Sequence, residues 1–267
     1  MLQLVDMGKY LVAFRLALAR ELMYRANFVF GRLRALVLYI ALLFVFHMFG
    51  RESIIYSQEE LSTYIVLAGS MYMMLFVYSM DMVASEIVDG DLINFLLRPI
   101  NYLAYWFWKI GAMRVLNILA AIVSLVLVVA ATRSSFFFQT HIFSLMQFAV
   151  LLIGALSIIT LIDFIAGSLS FWTYRSHGPR WLSMIGIQFL SGAYAPLDLF
   201  PGWLQQIYGA TPFPSIVFVP ITAYLGRMNG YEFLAALLVQ GVWIGVLGVV
   251  LAVVWKKGIR SYEAVGR

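Results

Sequence analysis

The sequence lacks several residues and motifs on which common protein chemistry depends. Its 267 residues include no cysteine, which excludes disulfide bonds and thiolate metal sites. The three histidines, His47, His141 and His177, are far apart without paired spacing, so no zinc site is indicated. No G-x-x-x-x-G-K-[ST] motif is present, which excludes nucleotide binding by a P-loop. No constellation of serine, histidine or carboxylate residues indicates a catalytic centre, so we expect no catalytic residue, metal or bound cofactor in this chain.

Charged residues are also scarce, at 12% of the chain, whereas hydrophobic residues make up 63% and the mean hydropathy is +0.91. A soluble domain would have about half apolar and about a quarter charged residues. Apolar runs long enough to cross a bilayer recur along the chain. The composition therefore predicts an all-α polytopic membrane protein with a single transmembrane domain, residues 1–267.

Six apolar runs predict six transmembrane helices. The predicted spans are residues 28–49, 61–84, 106–131, 142–172, 181–195 and 233–255. Gly241, Gly245 and Gly248 place small residues on one face of the sixth span, which favours close helix packing there.

Residues 1–26 precede the first span and contain too many charged residues to be a span themselves. Apolar residues recur there every three or four positions: Leu4, Met7, Leu11, Phe14, Leu18 and Leu22. This spacing predicts an amphipathic helix that lies in the membrane interface with its basic residues near anionic headgroups. An ordinary solvated helix is the alternative.

Prolines concentrate between the fifth and sixth spans, in a stretch that is otherwise apolar and aromatic. Five of the seven lie there: Pro196, Pro201, Pro212, Pro214 and Pro220. No continuous transmembrane helix tolerates so many missing backbone N–H groups. We expect two short helices in a re-entrant region, residues 196–226, that dips into the outer leaflet or caps a cavity. An ordinary extracytoplasmic loop is the alternative.

The basic residues predict the orientation. All but three of the 18 Lys and Arg residues fall on the side of the two termini, and the exceptions are Arg51, Arg133 and Arg227. Because basic loops stay in the cytoplasm, both termini and residues 86–99 are expected there. This bias explains the net charge of +5, which therefore indicates no nucleic-acid partner.

The polar segment of residues 86–99, between the second and third spans, has the signals of a short helix. Asp89 or Asp91 is suited to cap its start, since a carboxylate accepts hydrogen bonds from the first backbone N–H groups. Pro99 cannot continue a helix and ends it.

Three apolar residues of this segment, Leu92, Phe95 and Leu96, follow the spacing i, i+3, i+4 and form one helix face. A helix of about eight residues would be roughly 12 Å long. Lying across the membrane surface, it would point this face away from the bilayer. The spacing therefore predicts a partner protein that receives these side chains.

Three segments resemble one family. Glu86-Ile-Val-Asp-Gly-Asp-Leu-Ile-Asn-Phe-Leu-Leu-Arg-Pro-Ile-Asn101 resembles the first cytoplasmic loop of type-2 permeases of the ATP-binding-cassette (ABC) superfamily, in a bacterial branch. Pro196-Leu-Asp-Leu-Phe-Pro-Gly202, followed by Thr211-Pro-Phe, resembles the last extracytoplasmic loop of that branch. The tail Gly258-Ile-Arg-Ser-Tyr-Glu-Ala-Val-Gly266 is similar to its closing segment. The likeness covers nearly the whole chain, and Val88 departs from it where a polar residue is expected.

The resemblance implies a six-span, non-catalytic permease subunit in the bacterial cytoplasmic membrane, working as a homodimer or with a homologous permease. Two separate ATPase subunits, which bind ATP and Mg, would drive it. Residues 89–98 would form the coupling helix in a groove of the ATPase, with the N-terminal helix beside it. The implied coupling residues are Glu86, Asp89, Asp91, Leu92, Phe95, Leu96 and Arg98. In this interpretation Phe95→Asp uncouples ATP hydrolysis from transport without unfolding the protein.

The second and fifth spans line the path between protomers in that family. Tyr64, Met71 and Tyr78 follow a seven-residue spacing on one face of the second span, and Gln188 and Phe189 of the fifth would join them. Met and Tyr make an adaptable lining that suits an amphipathic or hydrophobic cargo such as a drug, lipid or glycolipid. Ordinary helix packing is the alternative.

Two charged residues lie deep in predicted spans. Arg114 and Asp163 are each roughly 12–13 Å from the membrane surface, counted along their helices. Burying either charge alone is costly, so we expect a buried ion pair, with Asp81 as a competing partner for Arg114. A proton relay is the functional alternative.

The sequence thus predicts the permease subunit of an ATP-driven exporter. Two alternatives remain open. An ion- or proton-coupled secondary transporter or channel would need several intramembrane ionisable groups or two related halves. A membrane scaffold or immunity protein, which would transport no substrate, is the other alternative.

Overall fold

The computed structural model describes residues 2–23, 25–49, 55–76, 79–97, 101–132, 136–173 and 177–262. Within these ranges the chain forms α-helices joined by turns and by short 3-10 helices, and it forms no strand. The predicted all-α class is therefore confirmed.

The α-helices of the described residues are numbered in chain order. They are α1 (Leu2–Met23), α2 (Arg25–Phe49), α3 (Gln58–Leu75), α4 (Ser79–Val88), α5 (Ile93–Leu96), α6 (Tyr102–Thr132), α7 (Ile142–Ser168), α8 (His177–Leu190), α9 (Gly202–Gly209), α10 (Phe218–Tyr224) and α11 (Gly230–Ser261). Short 3-10 helices cover Leu169–Phe171, Leu197–Leu199 and Phe213–Ser215.

Four helices within the described ranges are long and apolar enough to cross a membrane. They are Phe28–Met48 in α2, Tyr102–Ala131 in α6, Ile142–Phe171 in α7 with the 3-10 helix that follows it, and Gly230–Ser261 in α11. These helices coincide with the predicted first, third, fourth and sixth spans. The count of six spans stays a prediction.

The second predicted span, residues 61–84, is not one helix, and this expectation is corrected. Helix α3 ends at Leu75, because Phe76 has a non-helical backbone (φ −87°, ψ 71°), and α4 begins at Ser79. No glycine or proline marks the break. Phe76 is instead buried in the hydrophobic core and its ring packs against Tyr72. Tertiary packing therefore ends α3 at a place where local propensity gives no signal.

The fifth predicted span, residues 181–195, coincides in part with α8, which ends at Leu190. Its 14 residues would be about 21 Å long, less than the roughly 30 Å of a hydrocarbon core. A turn follows in which Gly192 has φ 82°, a conformation that favours glycine. The Tyr64 hydroxyl donates a 2.7 Å hydrogen bond to the Gly192 carbonyl and so joins this turn to α3.

Helix α7 lies at the centre of the fold and contacts α3, α4, α10 and α11. The larger hydrophobic cluster includes the fully buried Ile65 of α3, Ile158 of α7 and Ile221 of α10. Because lipid tails are as apolar as leucine, close packing rather than release of water holds such helices together in a bilayer.

Two glycines allow α11 and α7 to approach closely. A Cβ at Gly154 would overlap Oε1 of Gln240, and a Cβ at Gly258 would overlap the ring of Phe171. The Gln240 amide in turn donates to the carbonyl of Leu151 at 3.0 Å. The α7–α11 contact therefore combines close packing with a buried hydrogen bond.

The predicted close packing at Gly241, Gly245 and Gly248 is wrong within this chain. A Cβ at any of the three would meet no atom within 4 Å. Gly241 and Gly245 are exposed and Gly248 is half-buried among the described residues, whereas Gly154 and Gly258 lie at close contacts between helices.

The proline-rich region of residues 196–226 contains the two short helices α9 and α10, as its prolines indicate. Its apolar residues pack into the chain, since Ile216, Val217 and Ile221 are fully buried. Whether the region dips into the bilayer stays a prediction.

A cluster of polar side chains joins the proline-rich region to the start of α3. The Tyr56 hydroxyl donates to Asp198 at 2.6 Å, and the Arg227 guanidinium lies 3.3 Å from Glu60, 3.9 Å from Asp198 and 4.0 Å above the Tyr56 ring. Arg227 also donates to the carbonyl of Ile55. Burial raises the pKa of Tyr56 well above its ordinary value, and its hydrogen bond to Asp198 raises it further, so this bond persists at neutral pH.

Helix α1 confirms the predicted helix of residues 1–26 and packs along α6. Its buried face is formed by Ala13 and Ala17, whereas Leu11 and Leu22 of the predicted apolar stripe are exposed. The side chains of Leu4 and Met7 are not among those that the structure describes. The small alanines let α1 approach α6 closely, and the larger apolar residues stay on the outer face, available to lipid.

Candidate functional site

The segment after α4 reverses direction at a glycine. Gly90 has φ 84°, a conformation that favours glycine, and it follows the last helical hydrogen bond, from Asp89 N to Ser85 O at 2.8 Å. The turn then brings Leu92 N within 2.9 Å of the Glu86 carbonyl. Residues 89–92 are therefore used to turn the chain back towards α4.

The helix that follows is shorter than predicted. Helix α5 has four residues, and its N-cap is Leu92, with no side-chain cap hydrogen bond. The expectation that Asp89 or Asp91 caps it is wrong, because both precede the cap, in or next to the turn at Gly90. Arg98 and the predicted stop at Pro99 lie outside the described residues.

Leu92 does not face a partner, and this expectation is corrected. Its side chain is fully buried, in a cluster with Val83 and Ile87 of α4, Trp106 of α6 and Phe164 of α7. A leucine in such a cluster contributes to the fold of its own chain. Sequence spacing could not show this, because it gives the face of a helix and not what covers that face.

Phe95 is also held within the chain. It is half-buried, and its ring lies 5.4 Å from the Tyr102 ring and 5.0 Å from the Tyr105 ring. Such aromatic pairs are worth about 1 kcal/mol each beyond their buried area. The expectation that Phe95→Asp leaves folding intact is therefore corrected: a carboxylate there would disrupt the contact with α6.

A different apolar surface of the segment is open. Leu97 is 79% exposed, Leu96 44% and Ile93 38%. Asp89 and Asp91 are exposed beside them. Of the predicted coupling residues, Leu96, Asp89 and Asp91 therefore remain available to a partner, and sequence reasoning missed Ile93 and Leu97.

Glu86 is bound by three residues of one face of α6. Its carboxylate accepts hydrogen bonds from the Tyr102 hydroxyl and from Nε1 of Trp106, both at 2.8 Å, and from Nζ of Lys109 at 3.4 Å. The same ammonium lies 3.7 Å above the Trp106 ring. Both charged side chains are mostly buried, 17% exposed for Glu86 and 10% for Lys109.

Glu86 thus has a structural role inside the chain, and its role in ATPase coupling stays a prediction. It joins the end of α4 to the start of α6. The signal that could have revealed this is the spacing i, i+4, i+7 of Tyr102, Trp106 and Lys109, which places three donors on one helix face.

Most of the predicted substrate-path residues are not accessible in this structure. Tyr64, Met71 and Gln188 are buried in the core, at 0%, 3% and 3% exposure. Phe189 is exposed, and its ring packs against Phe200. Tyr78 lies outside the described residues. Tyr64, Met71 and Gln188 therefore pack inside the chain in this conformation, and a substrate path along these side chains stays a prediction.

Arg114 and Asp163 are both buried, each 8% exposed, and Asp163 interacts electrostatically with Arg114. Arg114 also makes a hydrogen bond that the sequence did not indicate. Nη2 of Arg114 donates to Oγ1 of Thr160 at 2.6 Å, whereas Nε and Nη1 make no hydrogen bond. Asp163 therefore provides charge compensation without accepting a hydrogen bond from Nε or Nη1.

No group of three or more His, Asp or Glu side chains is arranged to hold a metal ion in the part of the chain that the structure describes.

Comparison with known proteins agrees with the helical architecture. The sequence matches the family described as "ABC-2 family transporter protein" over residues 35–266. This range includes the loop at residues 86–101, the proline-rich region and the closing segment of residues 258–266. The comparison with curated proteins gave no match. Since the family match covers most of the sequence, the chain belongs to the ABC-2 family of transporter proteins.

Proposed function

We propose that this chain is the permease subunit of an ATP-driven ABC exporter of an amphipathic or hydrophobic substrate, such as a drug, lipid or glycolipid. Separate ATPase subunits bind ATP and Mg and act on the segment of residues 86–97. Family membership supports the permease role. The observation that carries the coupling proposal is that this segment is anchored in its own chain on one side and exposed on the other.

The exposed side has the character of a docking surface. Ile93, Leu96 and Leu97 form an apolar centre, and Asp89 and Asp91 lie at its rim. Protein interfaces commonly combine an apolar centre with a polar rim that excludes water. The ATPase groove that receives this surface would be apolar at its base and basic at its edge.

The anchored side can transmit a movement. Leu92 lies in a cluster that joins α4, α6, α7 and α11, and Glu86 joins α4 to α6. A displacement of α5 by the ATPase therefore moves the ends of several long helices together. A segment attached only by a flexible loop would bend instead.

The subunit works as a dimer with a second copy or a homologous permease, with both termini in the cytoplasm of a bacterium. We expect the cargo path to be closed in this conformation, an expectation supported by the burial of Tyr64, Met71 and Gln188. We expect transport to separate α3 from the turn at Gly192, which breaks the hydrogen bond from Tyr64.

Leu97→Asp tests the coupling surface. We expect the ATPase to bind at least about tenfold more weakly, because a carboxylate replaces a leucine in the apolar centre of the interface. Folding should be unchanged, since Leu97 is 79% exposed. Binding is measured by co-purification of the ATPase with the permease, and transport in proteoliposomes.

Leu97→Met is the matched control and should bind normally, because it keeps an apolar side chain. Equal ATPase recovery with Leu97→Asp and with the native chain would contradict the coupling surface. Absence of any ATPase from the native complex would contradict the proposed function itself.

The absence of cysteine makes the orientation directly measurable, because single cysteines can be added to the native sequence. Leu97→Cys on the coupling segment should react with a membrane-impermeant maleimide only after the inner face is opened. Gln206→Cys, at an exposed position of α9, should react in intact cells or spheroplasts. The reverse pattern, or labelling of both from one side, would contradict the proposed topology.

A further inference from the structure

A cavity of about 540 Å³ lies between α6, α7 and α11, and its wall shares Ile110, Phe164 and Leu251 with the cluster that buries Leu92. Its walls are almost entirely apolar and include Leu103 and Phe107 of α6, Ile153 of α7 and Ile244 of α11. Phe107 and Ile153 are each 65% exposed, so the cavity opens sideways to the outside of the bundle. An apolar ligand can therefore enter it from the bilayer.

One cation lies in the wall of this apolar cavity. Arg114 is 8% exposed, and its Nη2 is held by Oγ1 of Thr160 at 2.6 Å. Its Nε and Nη1 are buried and have no hydrogen-bond acceptor. A guanidinium stays charged in proteins, so it cannot avoid the cost of burial by losing a proton. Asp163 compensates its charge but leaves the hydrogen-bonding capacity of Nε and Nη1 unused. Nε and Nη1 do not form a parallel donor pair with each other, but the second N–H of Nη2 forms one with either of them, which suits an anion with two oxygens.

We infer that this cavity binds a single-chain anionic amphiphile. Its acidic group accepts hydrogen bonds from Arg114, with a small rotation of the guanidinium, and its apolar chain lies between Phe107 and Ile153. Guanidinium groups match carboxylate and phosphate geometry with two parallel hydrogen bonds. This binding does not depend on ATPase coupling, so the inference stands apart from the proposed function.

The position of Arg114 favours one chain over a two-chain phospholipid. It lies roughly 12 Å along α6 from Trp106, where the predicted span begins, counted at 1.5 Å per residue. A phospholipid headgroup held at the bilayer surface does not reach so far along a spanning helix. A single-chain acid, which can move its acidic end inwards, does.

Binding of a spin-labelled fatty acid to the full-length protein in phosphatidylcholine nanodiscs tests this inference. The immobilised fraction of the label is measured at a pH at which the acid is ionised, and the methyl ester of the same acid is the neutral comparator. We expect the native protein to bind the acid at least about tenfold more tightly than the ester, the ratio that one charge-assisted hydrogen bond gives. Arg114→Gln should remove this preference, whereas Arg15→Gln, at an exposed arginine of α1, should keep it.

Gly111→Leu provides a second variant that leaves Arg114 in place. Gly111 lines the cavity, and a Cβ added there meets no atom within 4 Å, so a leucine side chain begins in open space and takes up part of the cavity. It should weaken binding of acid and ester alike, while Gly31→Leu, at an equally open glycine of α2, should not. The inference is overturned if Arg114→Gln keeps the preference for the acid, if Gly111→Leu binds normally, or if phosphatidylglycerol displaces the label as well as the unlabelled acid does.

Discussion

Leu92→Asp should leave little folded protein, with a loss of stability of about 4 kcal/mol or more. Leu92 is fully buried between α4, α6 and α7, in a cluster that also includes Leu251 of α11. A carboxylate placed there is surrounded by apolar and aromatic side chains, and the nearby Lys109 is already paired with Glu86. The variant must either bury a charge or open the junction of four helices. Thermal unfolding and size-exclusion chromatography in detergent measure the effect.

Two comparison variants test whether the burial of Leu92 causes the expected loss of stability. Leu92→Ala should cost about 2–5 kcal/mol, because it leaves a cavity without adding a charge. Leu97→Asp, five positions later, should change stability by no more than about 0.5 kcal/mol, since its side chain is exposed. Equal stability of Leu92→Asp and Leu97→Asp would show that the segment is not anchored as described.

Glu86→Ala should cost about 3–5 kcal/mol, the range expected when one member of a buried ion pair is removed. The substitution leaves the Lys109 ammonium, the Tyr102 hydroxyl and the Trp106 indole N–H without their acceptor. We also expect α4 to lose its fixed position against α6. ATP hydrolysis by the assembled complex should then continue while transport falls, because the ATPase pulls on a segment that no longer moves the long helices.

The double variant Glu86→Ala with Lys109→Met shows how much of the lost stability comes from the unpaired charge of Lys109 and how much from lost packing. If the buried charge carries most of the cost, the double variant is more stable than Glu86→Ala alone, and the coupling energy of the cycle lies between about 0.5 and 3 kcal/mol. Additive effects of the two substitutions would contradict the pairing. Glu86→Gln, which can still accept from Tyr102 and Trp106, should be intermediate.

Together these variants distinguish two kinds of residue in one short segment. Leu92 and Glu86 connect the segment to the helices that cross the membrane. Leu96 and Leu97 are left for the ATPase. Loss of the first kind should reduce the amount of folded or coupled protein, and loss of the second should reduce binding of the partner.

Long apolar helices were the most predictable part of this fold. The spans predicted from hydropathy for α2, α6, α7 and α11 agree with the structure to within a few residues. Each signal is local, since roughly 20 apolar residues in succession must be a helix wherever they meet lipid. The break after Leu75 could not be predicted, because it depends on where the Phe76 ring is buried.

The sequence predicted where the candidate site lies in the chain, but not which of its side chains are buried. Residues 86–99 were identified from their charges, their proline and their apolar spacing. Which leucine is buried was decided by the aromatic start of α6, which covers Leu92 and Phe95 and leaves Leu97 exposed. The same holds for Arg114, whose charge predicted a partner but whose hydrogen bond goes to Thr160.

Composition and the order of apolar runs determined that this chain is a helical membrane protein, and three short segments indicated its family. The reason is that both are properties of consecutive residues. Only the tertiary structure decided which side chains of the coupling segment anchor it, where α3 ends, which glycines bring α7 and α11 together, and that Arg114 lines an apolar cavity. Each of these depends on residues far apart in sequence that meet at one point, and no single stretch of the chain contains that information.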